Sequence, residues 1–134
     1  MPHWLKRVSC DQKPNDMNTY IYVLSVNGLL FLMSIIFNLF PPKKINNFYG
    51  YRTPRTIQNQ DIWEFANSVF NKTLLSYSAI GFLASMLLTY LYQNLMDSWF
   101  PMAFLFFTLL VCIVKTENLL NQYFDKEGNR KPKR

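Results

Sequence analysis

The sequence predicts an all-α integral membrane protein: three transmembrane helices, with an amphipathic helix at the cytoplasmic face between spans one and two. Three observations predict it. Tyr20–Phe40 is 21 residues without a charge, Thr73–Tyr92 is 20 without a charge, and Leu95–Val114 is 20 with one, Asp97. A span needs about 20 mainly apolar residues to cross roughly 30 Å of hydrocarbon at about 1.5 Å rise each. A soluble helix of this length would carry a polar stripe, and Tyr20–Phe40 offers only Ser25, Asn27, Ser34 and Asn38. The mean hydropathy of the whole chain is near zero only because polar segments separate these runs.

Residues 1–19 form a polar outer leader. It precedes an apolar run that ends in Phe-Pro-Pro with no small-residue cleavage site, so residues 20–40 are a retained span and not a signal peptide. Pro41 and Pro42 stop that span, since proline has no N–H to donate and disfavours helix in the residue before it. Lys43 and Lys44 then reach the headgroups.

Residues 41–71 form a loop at one membrane face. Asn46, Asn47 and Gly50 are placed to accept positive φ. From Asn59, read as an N-cap, an interfacial helix is expected over about 59–71. Asp61 and Glu64 lie near its positive dipole end, and Ile62, Trp63, Ala66, Val69 and Phe70 make one apolar face.

Span two, 73–92, carries Ser78, Gly81, Ser85 and Thr89 on one stripe. Such a stripe suits close packing on spans one and three, with homodimer packing as the second use. A short turn leads to span three, 95–114, with Asp97 or Ser98 as cap and Pro101 in the first turn. The helix is expected to continue to about residue 124, to end at Gly128, and to leave residues 125–134 as a basic, disordered tail.

Charge sets the orientation. The chain carries 14 Lys and Arg against 8 Asp and Glu, a net +6. Eleven of the 14 basic residues fall on the side shared by the 41–72 loop and the tail; only Lys6, Arg7 and Lys13 fall opposite. The positive-inside rule then puts the N-terminus outside and the C-terminus in the cytoplasm. The tail KEGNRKPKR is read as part of that signal and not as a nucleic-acid contact.

Catalytic machinery is not legible. The one histidine, His3, stands in the leader. Cys10 and Cys112 fall towards opposite faces, which argues against a disulfide, and no metal-ligand spacing occurs. No catalytic residue, metal or cofactor is therefore assigned. Arg52 and Arg55 flank Thr53, and two guanidinium forks suit a phosphate or carboxylate; with Lys44 and Tyr49 they would make an anion or lipid site for a membrane enzyme or carrier. The plainer reading pairs them with headgroups or with Asp61, Glu64 or Glu117, so that Arg52 ties the loop to span three. Glu117 needs a partner, with Arg52 and Lys72 as candidates. Asn27, deep in span one, is expected to make an interhelical hydrogen bond.

The loop PKKINNFYGYRTPRTIQNQDIWEFAN resembles the signature of the SdpI family of bacterial membrane proteins. The matching positions are Pro42, Lys44, Asn46, Tyr49, Gly50, Arg52, Thr53, Asn59, Trp63, Ala66 and Asn67, and the tail ENLLNQYFDKEGNRK is similar to the end of small members. The resemblance runs from about Phe40 to Lys131. It implies a bacterial cytoplasmic-membrane protein with a cytoplasmic loop and no enzymatic activity. The family's namesake gives immunity to a secreted killing peptide and, with toxin bound, holds a transcriptional repressor at the membrane. Beyond the bilayer, the implied partners are a hydrophobic peptide toxin outside and a cytosolic regulator inside. The short chain matches the three-span unit of the family, whereas longer members carry further N-terminal spans.

Overall fold

The computed structural model describes residues 16–96 and 99–132. Helix α1, Asp16–Val23, passes through one π-helical turn, Leu24–Gly28, into α2, Leu29–Leu39. Helix α3 is Gln60–Leu91, α4 is the short Gln93–Met96, and α5 is Phe100–Tyr123. Three helices, Met17–Leu39, Gln60–Leu91 and Phe100–Tyr123, are long and apolar enough to cross a membrane.

The amphipathic segment is not a separate interfacial helix. It is the first part of α3, which runs unbroken for 32 residues. The reason is local: no proline or glycine occurs between Gln60 and Ile80. With no backbone group released by proline and no glycine to loosen the chain, Lys72 alone cannot stop a helix, because its long stem carries the charge towards the headgroups. At about 1.5 Å per residue, α3 is longer than the roughly 30 Å hydrocarbon layer, so its start projects beyond the lipid.

Helix α2 ends before the proline pair, with the Phe40 N–H closing on the Ile36 carbonyl at 2.9 Å. Asn59 caps α3 by accepting from the Ile62 N–H at 2.9 Å. At the start of α5, Trp99 holds the cap position without a side-chain bond, and Pro101 lies in the first turn. Asp97 and Ser98, expected as caps, lie outside the described residues, as do Cys10, His3 and most of the leader.

The inside of the bundle is polar and small, and its outside is greasy. Ser34, Ser78, Ser85, Thr89, Thr108 and Thr116 are buried, while Leu24, Leu29, Leu32, Leu83, Leu87, Phe106, Phe107 and Leu110 are exposed. Lipid tails are as apolar as leucine, so helices gain nothing from hiding leucine and associate instead through close backbone approach and hydrogen bonds. Ser34 Oγ and Ser78 Oγ stand 2.7 Å apart, joining α2 to α3. Gly81 lets α5 come close: a Cβ there would lie 2.7 Å from Phe104. The stripe Ser78, Gly81, Ser85 and Thr89 thus faces the other two spans. Asn27, in the π turn, is buried, but its Nδ2 finds no partner among the described residues, so the expected interhelical bond from that atom is not made.

An apolar cluster forms at the loop end of the bundle. Tyr51, Ile62, Ala66, Leu120 and Phe124 cluster, with Phe65 and Phe70 packed against them. The loop, the start of α3 and the end of α5 therefore close on one another as a water-soluble domain would.

The tail joins this unit and is not free. Helix α5 ends at Tyr123, ahead of Gly128; Phe124 is extended and pairs with Arg130. Gly128, at φ +88°, turns the chain back. Asp125 holds that turn, its Oδ1 accepting from the N–H groups of Glu127 at 2.9 Å and Asn129 at 2.8 Å. These bonds, the Asn129 N–H first among them, hold the Asp125 carboxyl below its ordinary 3.8. A carboxyl depressed in the fold stabilises it above the unfolded value, and that support is lost as the pH falls through the folded one. The turn is expected to open as the pH drops below 3.8, seen as a shift of the Gly128 amide towards its random-coil position. An amide signal unchanged to pH 2 would contradict this.

Candidate functional site

The matched residues gather on the projecting end of α3. The loop enters as Pro42, whose carbonyl accepts from Trp63 Nε1 at 3.0 Å. Asn46 then makes an Asx turn, its Oδ1 accepting from the N–H groups of Phe48 at 3.1 Å and Tyr49 at 2.8 Å. This side chain shapes the turn in place of positive φ; no non-glycine residue among those described has positive φ. The Tyr49 hydroxyl donates to the Phe40 carbonyl, and its ring meets Phe37 edge-on at 5.0 Å. Burial raises the Tyr49 phenol above its ordinary 10.0.

Gly50 has φ +107°, as its place in the loop predicts. It passes directly over Asn67, which is 1 % exposed. Asn67 Oδ1 accepts from the Tyr51 N–H at 2.6 Å, and its Nδ2 donates to the Trp63 carbonyl at 2.9 Å. Tyr51 stacks on Phe70 at 4.6 Å and donates its hydroxyl to Glu117 Oε1 at 2.7 Å. Burial, then the Glu117 carboxylate, pushes the Tyr51 phenol well above the usual tyrosine range. The partner of Glu117 is thus Tyr51 and not Arg52 or Lys72. A phenol can reach it because Tyr51 faces inward, whereas Arg52 points out.

The two arginines separate. Arg52 is exposed and donates to the Asn47 carbonyl at 2.6 Å, within its own loop. Arg55, not Arg52, ties the loop to span three. Its Nη1 donates to Asn121 Oδ1, and its Nη2 reaches the carbonyls of Leu120 at 3.3 Å, Phe124 at 3.1 Å and Asp125 at 3.2 Å. These carbonyls lie at and just past the C-terminus of α5, where the dipole favours a cation. Thr53 and Thr56 aim Arg55: the Thr53 N–H donates to Thr56 Oγ1 at 2.8 Å, and the Thr56 N–H returns to Thr53 Oγ1 at 3.3 Å. Asp61 pairs with Arg130 of the tail at 2.6 Å, and Asn59 Nδ2 donates to the Gly128 carbonyl at 2.9 Å. That ion pair is largely exposed, so it fixes register more than it stabilises.

Of the expected site residues, Asn46, Tyr49, Gly50, Thr53, Arg55, Asn59, Trp63, Asn67 and Glu117 thus gather at this end of the molecule, while Arg52 bonds within its own loop. Lys44 stays exposed; its carbonyl accepts from Asn46 Nδ2 at 3.1 Å. Sequence reasoning missed Tyr51, Thr56 and Asn121. Thr56 had a signal, since a hydroxyl three residues after Thr53 across a proline suits a side-chain-closed turn. Asn121 had none.

Beside the network, the end of α2, the proline pair and one side of α3 enclose a cavity of about 410 Å³. Asn38, Lys43, Glu64, Ser68, Asn71 and Lys72 line it. Among the described residues no group of three or more His, Cys, Asp or Glu stands close enough to hold a metal.

Three apolar helices closed at one end by a hydrogen-bonded loop define a multi-pass membrane protein. The model of the SdpI/YfhL protein family matches residues 43–116, more than half of the chain. The chain belongs to that family. It is 50 % identical over 40 residues to a Bacillus subtilis (strain 168) protein that bears the name Uncharacterized protein YfhL. The match covers 30 % of this chain and 36 % of that relative's length. No solved structure matches.

Proposed function

We propose that the chain is a non-enzymatic immunity or signalling protein of the SdpI type, seated in the bacterial cytoplasmic membrane with its loop and C-terminus in the cytosol. One observation carries this reading. The polar groups of Tyr51, Asn59, Trp63 and Asn67, both Nη groups of Arg55 and one oxygen of Glu117 are taken up in internal hydrogen bonds. A reacting site keeps such groups open for substrate, whereas a docking platform uses them to hold a shape. Among the side chains the platform leaves outward, two are apolar: Phe48 is 99 % exposed and Ile57 42 %. An exposed apolar tip on a rigid polar base suits a cytosolic protein partner. A hydrophobic peptide toxin would be met at the far ends of the spans, within lipid.

The test is loss of the gene in its own host. Cells lacking the protein are expected to become sensitive to a secreted hydrophobic peptide toxin, and the chain to restore resistance. Equal killing of deleted and wild-type cells by every such peptide the host encodes would sink the immunity half. For signalling, a cytosolic regulator is expected to move to the membrane fraction with wild type and to stay soluble with Phe48→Asp. Recruitment indifferent to Phe48 would sink that half.

A further inference from the structure

The cavity beside α3 contains a group that the network does not satisfy. Asn71 is 2 % exposed. Its Nδ2 donates to the Phe37 carbonyl at 2.8 Å, which fixes the side chain, while its Oδ1 has no donor among the described residues. Buried carbonyl oxygens are almost always paired, so a donor belongs there. The same cavity is lined by Lys43 and Lys72, both exposed. The ion pair formed among the described residues is Arg130–Asp61, which leaves both ammonium groups free for another anion.

Depth identifies the source of that anion. Asn38 and Pro41 close the first span, and Lys72 stands directly before the uncharged run Thr73–Tyr92. The cavity thus lies at the layer where phospholipid phosphates sit. Its charge selects among lipids. Lys43 and Lys72 against Glu64, which already accepts from Gln60 Nε2 at 2.8 Å, leave the lining net positive. That favours a net anionic headgroup over a zwitterionic one. The orphan Asn71 oxygen adds a demand for a hydroxyl.

We propose that this cavity holds the headgroup of an anionic phospholipid that carries a free hydroxyl, of the phosphatidylglycerol class. Lys43 and Lys72 take the phosphate, and the headgroup hydroxyl donates to Asn71 Oδ1. The site is separate from Arg52 and Arg55 and does not rest on the toxin reading.

The experiment is native mass spectrometry of the full chain released from nanodiscs containing phosphatidylglycerol, phosphatidylmethanol, phosphatidylethanolamine and phosphatidylcholine. Phosphatidylglycerol is expected to be retained first, phosphatidylmethanol (anionic but without the hydroxyl) less, and the other two at background. The variant carrying Lys43→Gln and Lys72→Gln loses no internal contact of either ammonium, and should fold. It is expected to weaken phosphatidylglycerol retention by about thirtyfold. Asn71→Ala should abolish the preference for phosphatidylglycerol over phosphatidylmethanol while leaving both above phosphatidylcholine. Retention of phosphatidylcholine equal to phosphatidylglycerol would overturn the proposal, as would a double-lysine variant that binds like wild type. Displacement of the lipid by millimolar inorganic phosphate or glycerol phosphate would show a site for soluble anions and overturn the lipid assignment.

Discussion

Arg55→Ala is expected to lower the stability of the detergent-solubilised protein by about 2–4 kcal/mol, and to expose the tail to protease. The guanidinium faces four acceptors, the side-chain oxygen of Asn121 and the carbonyls of Leu120, Phe124 and Asp125. Three of these are backbone oxygens at or beyond the last turn of α5. Alanine removes the fork beside the buried Leu120 and Phe124: the Leu120 and Asp125 oxygens keep the Phe124 and Gly128 N–H groups, the Phe124 oxygen loses its donor, and water must enter an apolar cluster to replace the arginine. Arg55→Lys should recover only part of the loss, since a single ammonium cannot reproduce the fork. Arg52→Ala is the informative contrast. Arg52 is exposed and meets one carbonyl in its own loop, so its removal should cost well under about 1 kcal/mol. The measurement is unfolding by a graded denaturing detergent, followed by tryptophan fluorescence in a background where Trp63 is the one tryptophan kept, Trp4 and Trp99 being replaced by Phe. Equal effects at the two arginines would contradict the division of labour between them.

Gly50→Ala is expected to cost about 2–4 kcal/mol and to disorder the loop. At φ +107° an L side chain is strained in any surroundings. Here it is also obstructed: the new Cβ would lie 2.6 Å from Asn67 Oδ1 and 2.7 Å from Pro42 Cγ. Neither can retreat cheaply. Asn67 is held by Tyr51 and Trp63, and Pro42 by the Trp63 indole. Gly28→Ala tests the argument, because its nearest contacts are side-chain atoms at 3.3 Å and its φ is −67°. It should be nearly neutral. A Gly50→Ala protein as stable as Gly28→Ala would show that the loop is not built over Asn67.

The spans were legible because crossing a membrane is a demand on composition and length, both visible in sequence. The cap at Asn59 and the positive-φ turn at Gly50 were legible because each is a local backbone requirement. What was lost concerned contacts between residues far apart in the chain. Nothing near Glu117 in sequence indicates Tyr51, which is 66 positions away. Nothing near Arg55 indicates Asn121. The tail looked disordered because its composition is polar and basic, yet Asp61, Asn59 and Asn121 each supply it with a partner. The amphipathic segment was mistaken for a surface helix because periodicity reports which face is apolar and says nothing about whether the axis bends.

The absence of a joint between that segment and the second span has a mechanical consequence. A stiff shaft anchored in oil at one end and bolted to a platform at the other cannot rotate or tilt at one end only. Whatever leans on the lipid-embedded half, a peptide or a change in bilayer thickness, must swing the platform, with no hinge to absorb the movement.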